Sequence, residues 1–496
     1  MEQLIGLKKR FNPRRLYEDE PSATKIEVDG VFLRIDDSLL EQKTAMYPGD
    51  NFLGHTFTVD IEDLLQDPSI IRSARVSTGR DSKAVDEKSI GLIKSLHSGK
   101  HDTPFEGGVE FRLKVTVPIC LAEPFFQMMG SHNEFSTRYS EYNVEEKPFF
   151  VPPGFVERDV EIYHDVHKAS RELYKYFLDF GVAREQARFA LIYSFFTEFY
   201  WTVSLRHLLE LMSLEWNPLT PELFWGIRDN VIGKILKDWT PWAWDVKTET
   251  GNVLPTIYFL EGFSASEMDG KITDIFESSG HGVDNIGTFA ITNVYGNDEL
   301  MKLGVWTNPN PRRGFGHAGM TILAKMPIFV YRQWVRHRYG SWSALPTSFD
   351  NVVLNRDFYI PEVFRKQVGK PMQYTYEPAS AEDNEKLKSK MRDLIDYACV
   401  RYGALRSYGV SSENAALILP YTFRVRRMWT ANVESLMNYF SLRVDGHAQE
   451  ETRRFAEAVY PIFKDHFPWA NKMFLRHLNF GKSDLLVEDD AVDVMA

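Results

Sequence analysis

The sequence predicts an α+β protein in which one structural unit occurs twice in tandem. Three observations favour this fold class. A segment that begins at Gly181 recurs from Gly409, each copy contains an alternating strand pattern followed by an apolar helix, and the composition is that of a globular protein. With 496 residues, of which 44% are hydrophobic, the chain can bury one or two substantial cores.

The charge and cysteine content narrow the classes of function. Lysine and arginine number 58 against 69 acidic residues, and the formal charge of −11 argues against a general polyanion-binding surface. The two cysteines, Cys120 and Cys399, support neither a disulfide framework nor a cysteine-rich metal site, so we expect no metal. The N-terminus has no apolar core of secretory length, and no later run reaches roughly 18 apolar residues. We therefore expect a cytoplasmic protein.

The repeat is clearest in the segments that begin at Gly181 and Gly409. A shift of 228 positions aligns them without a gap. The residues of the first segment that meet identical residues under this shift include Gly181, Val182, Glu185, Ala187, Leu191, Tyr193, Phe195, Trp201, Thr202, Leu208 and Leu214. Downstream, Pro241-Trp242 and Pro468-Trp469 correspond with a slip of one residue. So many identities favour duplication over two similar helical hairpins.

Upstream, a second pair of segments has the same pattern. GVEFRLKVTVPIC, from Gly107 or Gly108 to Cys120, and AGMTILAKMPIFVYRQWVRHR, which ends at Arg338, each predict a strand, then a helix, then a serine-rich turn. The predicted divisions are an N-terminal extension at 1–50, a first copy at 51–250, a Gly/Ser/Asp-rich connector at 251–284, a second copy at 285–480 and an acidic tail at 481–496.

Chemistry is predicted where the copies differ. The second copy has four strong donors in the seven residues from Arg332 to Arg338, whereas the corresponding Glu123–Met129 has no positive charge. Such a run is often a solvated basic helix face, but Trp334 and Val335 make full solvation less expected. Arginine forks suit phosphates, so an anionic ligand is plausible. A few residues later the relationship reverses, because the first copy keeps a polar loop from Ser131 to Tyr139 and the second copy has lost it.

Together these two segments resemble the signature of the flavin-dependent thymidylate synthases. The second copy supplies Gln333 and Arg336-His337-Arg338, and the first copy supplies Asn133-Glu134-x-Ser136-x-Arg138-Tyr139. Other landmarks are similar as well: Arg75-Val76-Ser77, His101 to Glu106 and Arg184 in the first copy, and Asn432, Asn438, Arg443 and His447 in the second. Arg184 faces Ser412, and Arg206 faces Glu434, in the alignment. The resemblance covers roughly residues 60 to 475.

The resemblance implies an antiparallel sheet with packed helices in each copy, the two copies forming a pseudo-dimer. Family members are homotetramers with active sites between subunits, so a homodimer of this chain would act as a pseudo-tetramer. One composite site per chain is then expected, with Glu134, Phe135, Ser136, Thr137, Arg138 and Arg184 from the first copy and Gln333, Arg336 and Arg443 from the second. The mirror-related site would combine Phe126, Glu215, Ser348 and Ser412, which form no phosphate clamp.

The resemblance also implies a role for each site residue. Arg443 would activate the pyrimidine ring, and the other residues of the composite site would bind the nucleotide. The residues implied for FAD are His101, Thr103, Asn133, Arg206, Arg336, His337, Arg338, Asn432, Asn438 and His447. Methylenetetrahydrofolate would donate the carbon unit to dUMP, and NADPH would reduce the flavin.

Simpler readings of single residues stay open, as do two other functions. Arg443 and His447 are spaced as a solvent-facing helical pair, His101 could cap a turn, and Arg184 could pair with Glu185 or Asp179. The chain could instead methylate or hydroxymethylate another pyrimidine nucleotide, or bind a nucleotide or flavin without turnover. A zinc deaminase or a dehydrogenase is disfavoured, because the expected cysteine spacing and glycine-rich fingerprint are absent.

Overall fold

The structure is a computed structural model that describes residues 23–28, 31–36, 57–64, 67–76, 89–99, 101, 103–137, 140–144, 149–152, 154–214, 222–250, 265–370 and 373–477. Arg138, Glu215 and the predicted acidic tail lie outside the described residues. The described residues fall into two compact bodies. Body 1 is formed within 1–136, 143–156 and 194–261, and body 2 within 137–142, 157–193 and 262–496. The limits of the two copies, which are sequence repeats, remain a prediction.

Body 1 is built on a six-stranded sheet in the order β1-β2-β3-β4-β6-β5. Its strands are β1 Ala23–Val28, β2 Val31–Asp36, β3 Phe57–Leu64, β4 Glu110–Pro118, β5 Ser131–Glu134 and β6 Phe196–Ser204. All neighbours pair antiparallel except β2 and β3. Strand β4 is the alternating strand predicted from Gly107 or Gly108, and its inward positions Phe111, Leu113 and Val115 are fully buried.

The helices of body 1 pack against this sheet and against one another. They are Asp67–Val76, Ile90–Ser98, Thr103–Gly108, Ile119–Gln127, Leu205–Ser213, Glu222–Ile227, Gly233–Trp239 and Pro241–Thr250. A π-helical turn at Arg228–Ile232 joins two of them. The core is aromatic: Phe125 meets Phe199, Trp201 and Phe224 edge to face, with ring centroids 5.2 to 5.8 Å apart.

Body 2 is built on a five-stranded antiparallel sheet in the order β10-β13-β9-β8-β7. Its strands are β7 His281–Val283, β8 Gly287–Tyr295, β9 Gly319–Pro327, β10 Ser341–Ala344 and β13 Arg424–Asn432. A separate hairpin joins β11 Arg365–Lys370 to β12 Gln373–Pro378. The predicted α+β class with antiparallel sheets is confirmed. Two local predictions differ: the serine-rich turns are the short edge strands β5 and β10, and the predicted connector contains β7 and a helix at Ala265–Ser279.

The helices of body 2 come from both copies of the repeat. They are Glu157–Asp179, Arg184–Ala187, Ala265–Ser279, Asp298–Thr307, Ile328–Trp334, Phe349–Leu354, Ala381–Ser407, Ser412–Ala416, Val433–Arg443, Glu450–His466 and Pro468–His477, with 3₁₀ turns at Arg188–Ala190 and Pro311–His317. The long helix Glu157–Asp179 of the first copy packs against Ala381–Ser407 of the second. None of the helices described in either body is long and apolar enough to cross a bilayer.

Two reciprocal hydrogen bonds join equivalent positions of the copies within body 2. The Tyr193 N–H donates to the Leu419 carbonyl at 3.0 Å, and the Tyr421 N–H donates to the Leu191 carbonyl at 2.7 Å. Each donor and each acceptor has its counterpart 228 positions along the chain. Such self-matching contacts are the mark of a two-fold relationship. The predicted duplication and its register are therefore confirmed.

The repeat is equally clear inside each body. Asp67 accepts a hydrogen bond from the Trp242 N–H at 2.7 Å, and Asp298 accepts one from the Trp469 N–H at 2.8 Å. Each aspartate thus caps a helix that begins at the Pro-Trp pair identified in the sequence. The equivalence of these caps supports the one-residue slip between the Pro-Trp pairs.

Candidate active site

The arginine-rich segment of the second copy lies at the end of a buried helix. The helix Ile328–Trp334 follows β9 directly, and Trp334 and Val335 are almost completely buried. Because these apolar side chains fix the segment against the core, His337 is only 4% exposed. The segment is therefore not a solvated basic helix face.

His337 and Arg443 form a polar pair at the end of this helix. The Arg443 Nε donates to His337 Nε2 at 2.9 Å, and its Nη2 donates to the Gln333 carbonyl oxygen at 2.8 Å. Burial and then the charge of Arg443 lower the pKa of His337 to about 3. The imidazole is therefore neutral, and since Nε2 accepts, the proton is on Nδ1. This Nδ1 is buried and has no hydrogen-bond partner among the described residues.

A small pocket opens beside this pair. Its volume is about 110 Å³, and it is lined by Arg336, His337, Arg338, Tyr339, Ser435 and Asn438. The hydroxyl oxygen of Ser435, like His337 Nδ1, is buried without a hydrogen-bond partner in the described part of the chain. Burial, followed by the charge of Arg336, lowers the pKa of Arg338 from its usual value. Two cations and two unused polar atoms suit an anionic or strongly polar part of a ligand.

A chain of hydrogen bonds within body 2 connects this region to residues of the first copy. Gln333 Nε2 donates to Gln449 Oε1 at 2.7 Å. Arg188 donates to the same oxygen from Nη2 at 2.7 Å and to Thr137 Oγ1 from Nη1 at 3.1 Å. The structure thus joins Thr137 of the first copy to Gln333 and Arg443 of the second.

Arg184, like Arg188, belongs to the first copy of the repeat. Its guanidinium pairs with Glu141 at 2.7 Å and is a quarter exposed. Its neighbour Glu185 is buried and pairs with Arg365 at 3.1 Å. Arg184 therefore pairs with Glu141 rather than with Glu185 or Asp179, and its side chain is partly exposed.

Other predicted site residues lie in body 1. Glu134 accepts a hydrogen bond from Thr197 Oγ1 at 2.6 Å, and Arg206 pairs with Glu106 at 2.6 Å. The remaining predicted residues of this body are Asn133, Phe135, His101 and Thr103, which are exposed, and Ser136, which is half-buried. Body 1 thus presents polar groups of the kind that the family resemblance implies.

Three predicted flavin residues lie on the helix Val433–Arg443 or beside its ends. Asn432 caps the helix by accepting from the Ser435 N–H at 2.9 Å. Asn438 is exposed and lines the pocket. His447 is almost fully exposed, 2.7 Å from Asp445. Because the helix ends at Arg443, Arg443 and His447 do not form a helical pair, and that simpler reading is wrong.

Residues predicted for the mirror-related site have ordinary structural roles. Phe126 is buried against Phe199 and His132 in body 1, with ring centroids 4.8 and 5.1 Å away. Ser348 caps the helix Phe349–Leu354 by accepting from the Asn351 N–H at 3.2 Å. Neither residue offers a positive charge to a phosphate.

A cluster of buried and half-buried polar residues around Gln449 was not predicted from the sequence. Its members are Arg188, Glu185, Arg365, Gln449 and Glu451, all in body 2. A signal for one of them was available, since the 228-residue shift aligns Arg188 with Ala416. Arg188 therefore shows the same one-sided retention as Arg184.

Comparisons with known proteins agree with this architecture. The sequence profile of the family described as thymidylate synthase complementing protein matches residues 62–242 and again 297–469. The flavin-dependent thymidylate synthase of Thermosipho africanus is 39% identical over 35% of this chain and 74% of its own. That of Tropheryma whipplei is 30% identical over 39% of this chain and 83% of its own. A UMP/dUMP methylase from Streptomyces cacaoi, solved with 5-bromo-dUMP, is 25% identical over 40% of this chain and 97% of its own, with a TM-score of 0.34.

Proposed function

Because the chain belongs to the thymidylate synthase complementing protein family, we propose that it transfers a one-carbon unit to carbon 5 of dUMP in a flavin-dependent reaction. The relatives that match the chain are flavin-dependent thymidylate synthases. The observation that carries the proposal is the contact chain from Thr137 through Arg188 and Gln449 to Gln333. It unites groups that neither copy of the repeat has alone.

Arg443 is the proposed activating residue. Its guanidinium is held by the neutral His337 ring and by the Gln333 carbonyl oxygen. These two contacts fix the position of the guanidinium, and its positive charge would stabilise negative charge that develops on the pyrimidine ring. Such stabilisation makes carbon 5 more nucleophilic without a covalent thiol. In accordance with this, both cysteines are buried.

The nucleotide phosphate and sugar are proposed to bind the arginines contributed by both copies, Arg138, Arg184 and Arg336, with Gln333 and residues Glu134–Thr137 setting their position. Arginine is suited to this because its planar fork gives two parallel donors to a phosphate. The two copies could form two composite sites, each combining one part of the first copy with the complementary part of the second, and we call each such combination a diagonal. The retained arginines all belong to one diagonal. We therefore infer one working site per chain and two in a homodimer that acts as a pseudo-tetramer.

Arg336, His337, Arg338 and Asn438 are proposed to hold part of FAD. The fit rests on the pocket that these residues line, with the unused polar atoms of His337 and Ser435. The pocket is too small for a whole dinucleotide, and the other proposed contacts are His101, Thr103, Asn133, Arg206, Asn432 and His447. When bound, FAD would supply the redox chemistry that completes the methyl group, with methylenetetrahydrofolate as carbon donor and NADPH as reductant.

The test is to assay the purified chain with FAD, methylenetetrahydrofolate and NADPH, and to identify products by mass spectrometry. Separate reactions with dUMP, UMP and dCMP distinguish the substrate. We expect dTMP from dUMP, and Arg443→Ala to lower kcat by roughly 100-fold or more.

The matched control is Arg401→Ala. Arg401 pairs with Asp165 at 3.3 Å in the same body and has no proposed role, so turnover should be unchanged. If product formed only in the reaction with UMP or with dCMP, that nucleotide and not dUMP would be the substrate. A flavin-free chain without turnover, or an active Arg443→Ala variant, would contradict the proposal.

A further inference from the structure

In the side-chain amide of Gln333, the nitrogen makes hydrogen bonds within the described part of the chain and the oxygen does not. Its Nε2 donates to Gln449 Oε1 at 2.7 Å and, more weakly, to the Phe329 carbonyl oxygen at 3.4 Å. Its Oε1 is buried and has no hydrogen-bond partner among the described residues. A buried acceptor without a donor destabilises the folded chain, because the acceptor has given up its hydrogen bonds to water. Such an atom in a candidate binding site points to a ligand that supplies the donor.

The orientation of Gln333 is fixed by Gln449. Gln449 is fully buried, and its Oε1 accepts from Arg188, whose guanidinium can only donate. Its Nε2 donates to Glu451 Oε2 at 2.9 Å and to the Glu185 carbonyl oxygen at 3.4 Å, both of which accept. A flipped Gln449 would place its NH₂ against a cation and its oxygen against a carboxylate. Its polarity therefore has one solution, although N and O look alike in an amide.

Glu451 is itself held in the acceptor form. Arg365 lies 3.5 Å from its Oε2, and the Tyr359 hydroxyl donates to its Oε1 at 3.1 Å. Both neighbours are hydrogen-bond donors, so the carboxylate oxygens of Glu451 accept from them. The orientation of the Gln333 amide is therefore fixed by Gln449, whose own orientation is fixed by Arg188 and Glu451. It must turn Nε2 toward Gln449 and Oε1 away.

We propose that Gln449 is a positioning residue that makes Gln333 present a hydrogen-bond acceptor to the bound nucleotide. This inference depends on the proposed function, because it takes the nucleotide as the ligand at Gln333. Two groups of dUMP can donate there, the ring N3–H and the 3′ hydroxyl. An acceptor at N3–H selects uracil over cytosine, whose N3 is itself an acceptor. An acceptor at the 3′ hydroxyl selects the sugar instead.

The arrangement of Arg188, Gln449 and Gln333 belongs to one diagonal of the duplicated chain. The 228-residue shift places Ala416 at the position equivalent to Arg188, so a copy of the arrangement there would lack its terminal donor. The positioning device has thus been kept together with the arginines that form the working site. This agrees with a role in that site rather than in general packing.

The first experiment measures Kd for dUMP, N3-methyl-dUMP and 2′,3′-dideoxyuridine monophosphate with the full chain and with Gln449→Met and Gln333→Met. We expect both variants to bind dUMP about 10-fold more weakly, which corresponds to about 1.4 kcal/mol. The analogue that lacks the relevant donor should bind the wild-type chain more weakly than dUMP does. The variants should bind this analogue almost as tightly as the wild-type chain does. The analogue that shows this behaviour identifies the donor.

A matched control is Gln186→Met. Gln186 is equally buried in body 2, where it accepts from the Arg365 N–H at 2.7 Å and donates to the Val363 carbonyl oxygen at 3.3 Å. Its replacement should leave the ratio of dUMP to analogue affinities unchanged. If Gln449→Met weakened dUMP and both analogues by the same factor, the positioning role would be overturned.

The second experiment needs no nucleotide. The Tm values of Gln449→Met, Arg188→Met and the double variant should show coupling, with the double variant about 2 to 4 °C more stable than the sum of the single losses predicts. Additive losses would overturn the fixed arrangement of donors and acceptors. Coupled Tm values in a chain that binds no dUMP would instead refute the proposed function and the nucleotide as the ligand, leaving the amide orientation intact.

Discussion

At the scale of single residues, His337 shows how burial sets the charge state of a side chain. An ordinary histidine has a pKa near 6.5, and burial beside Arg443 lowers the pKa of His337 to about 3. Between these values the unfolded chain binds a proton that the folded chain does not. Folding stability from this group is therefore complete above pH 6.5 and is lost as the pH falls toward 3.

We predict that His337→Gln removes this dependence. Glutamine can still accept from Arg443 but does not titrate, so the variant should gain on the wild type by about 1.4 kcal/mol per pH unit below 6.5. Thermal unfolding at pH 8, 6 and 5 measures the difference. The Tm gap between the two proteins should be constant above pH 7 and should shift in favour of the variant below pH 6. Parallel curves throughout would contradict a neutral His337.

Residue roles were predictable only where the two copies could be compared. The one-sided retention of Arg184 and the arginine-rich segment were visible in the sequence. Gln449 was not, because its role depends on meeting Arg188, which lies 261 positions away along the chain. Predicted roles in binding and catalysis, including that of Arg138 outside the described residues, remain predictions.

At the scale of elements, the two Pro-Trp helices are started by aspartates from distant segments. Asp67 accepts from the Trp242 and Ala243 N–H groups, and Asp298 accepts from Trp469 and Ala470. Loss of such a cap leaves amide donors unsatisfied. Burial raises the pKa of Asp67 to about 6, so this carboxylate is charged at pH 8 at some cost in desolvation.

We predict that Asp67→Ala and Asp298→Ala each lower the free energy of unfolding by about 1 kcal/mol. Asp67→Asn keeps an acceptor and avoids the buried charge, so at pH 8 it should cost less than Asp67→Ala. Denaturant unfolding measures all three variants. Equal losses for alanine and asparagine would show that the side-chain acceptor does not stabilise the helix.

Elements with long or alternating patterns were predictable, and short ones were not. Strand β4 was predicted from its apolar alternation, whereas β1 and β2 fell in an extension without a strong signature. A signal was nevertheless present, because Asp29-Gly30 separates Val28 from Val31, and these two residues pair across the hairpin. An Asp-Gly dipeptide between two such runs is a strong indication of a tight hairpin.

At the scale of the whole molecule, body 2 cannot be made from the second copy alone. It includes the helix Glu157–Asp179, which packs against Ala381–Ser407. The helix Ala381–Ser407 buries Leu387, Met391 and Leu394, and without Glu157–Asp179 it would lose one of the helices that pack against it. The compact body therefore crosses the boundary between the sequence repeats.

We predict that residues 265–496 expressed alone are insoluble or lack a cooperative unfolding transition. Co-expression with residues 1–264 should restore a soluble complex, because the missing segments 137–142 and 157–193 are then supplied. Sedimentation and thermal unfolding of the fragment, the complex and the intact chain test this. A fragment 265–496 that unfolds cooperatively on its own would contradict it.

The duplication itself was predictable because an unbroken 228-residue register leaves many identities. The way in which the copies share body 2 was not, since repeat boundaries in sequence do not say which elements pack together. That arrangement depends on contacts such as those of Tyr193 with Leu419 and of Tyr421 with Leu191.

Those two contacts have an evolutionary consequence. They use only backbone atoms, so they tolerate almost any change of side chain, and the copies can diverge without separating. In a self-associating subunit encoded once, a substitution alters every site of the assembly, whereas after fusion it alters one diagonal and spares the other. Losses that affect one diagonal can then accumulate in both copies, under selection for the single competent site on the other diagonal. Once both copies carry such losses, neither segment of the gene can be deleted, and the merger of two genes has become irreversible.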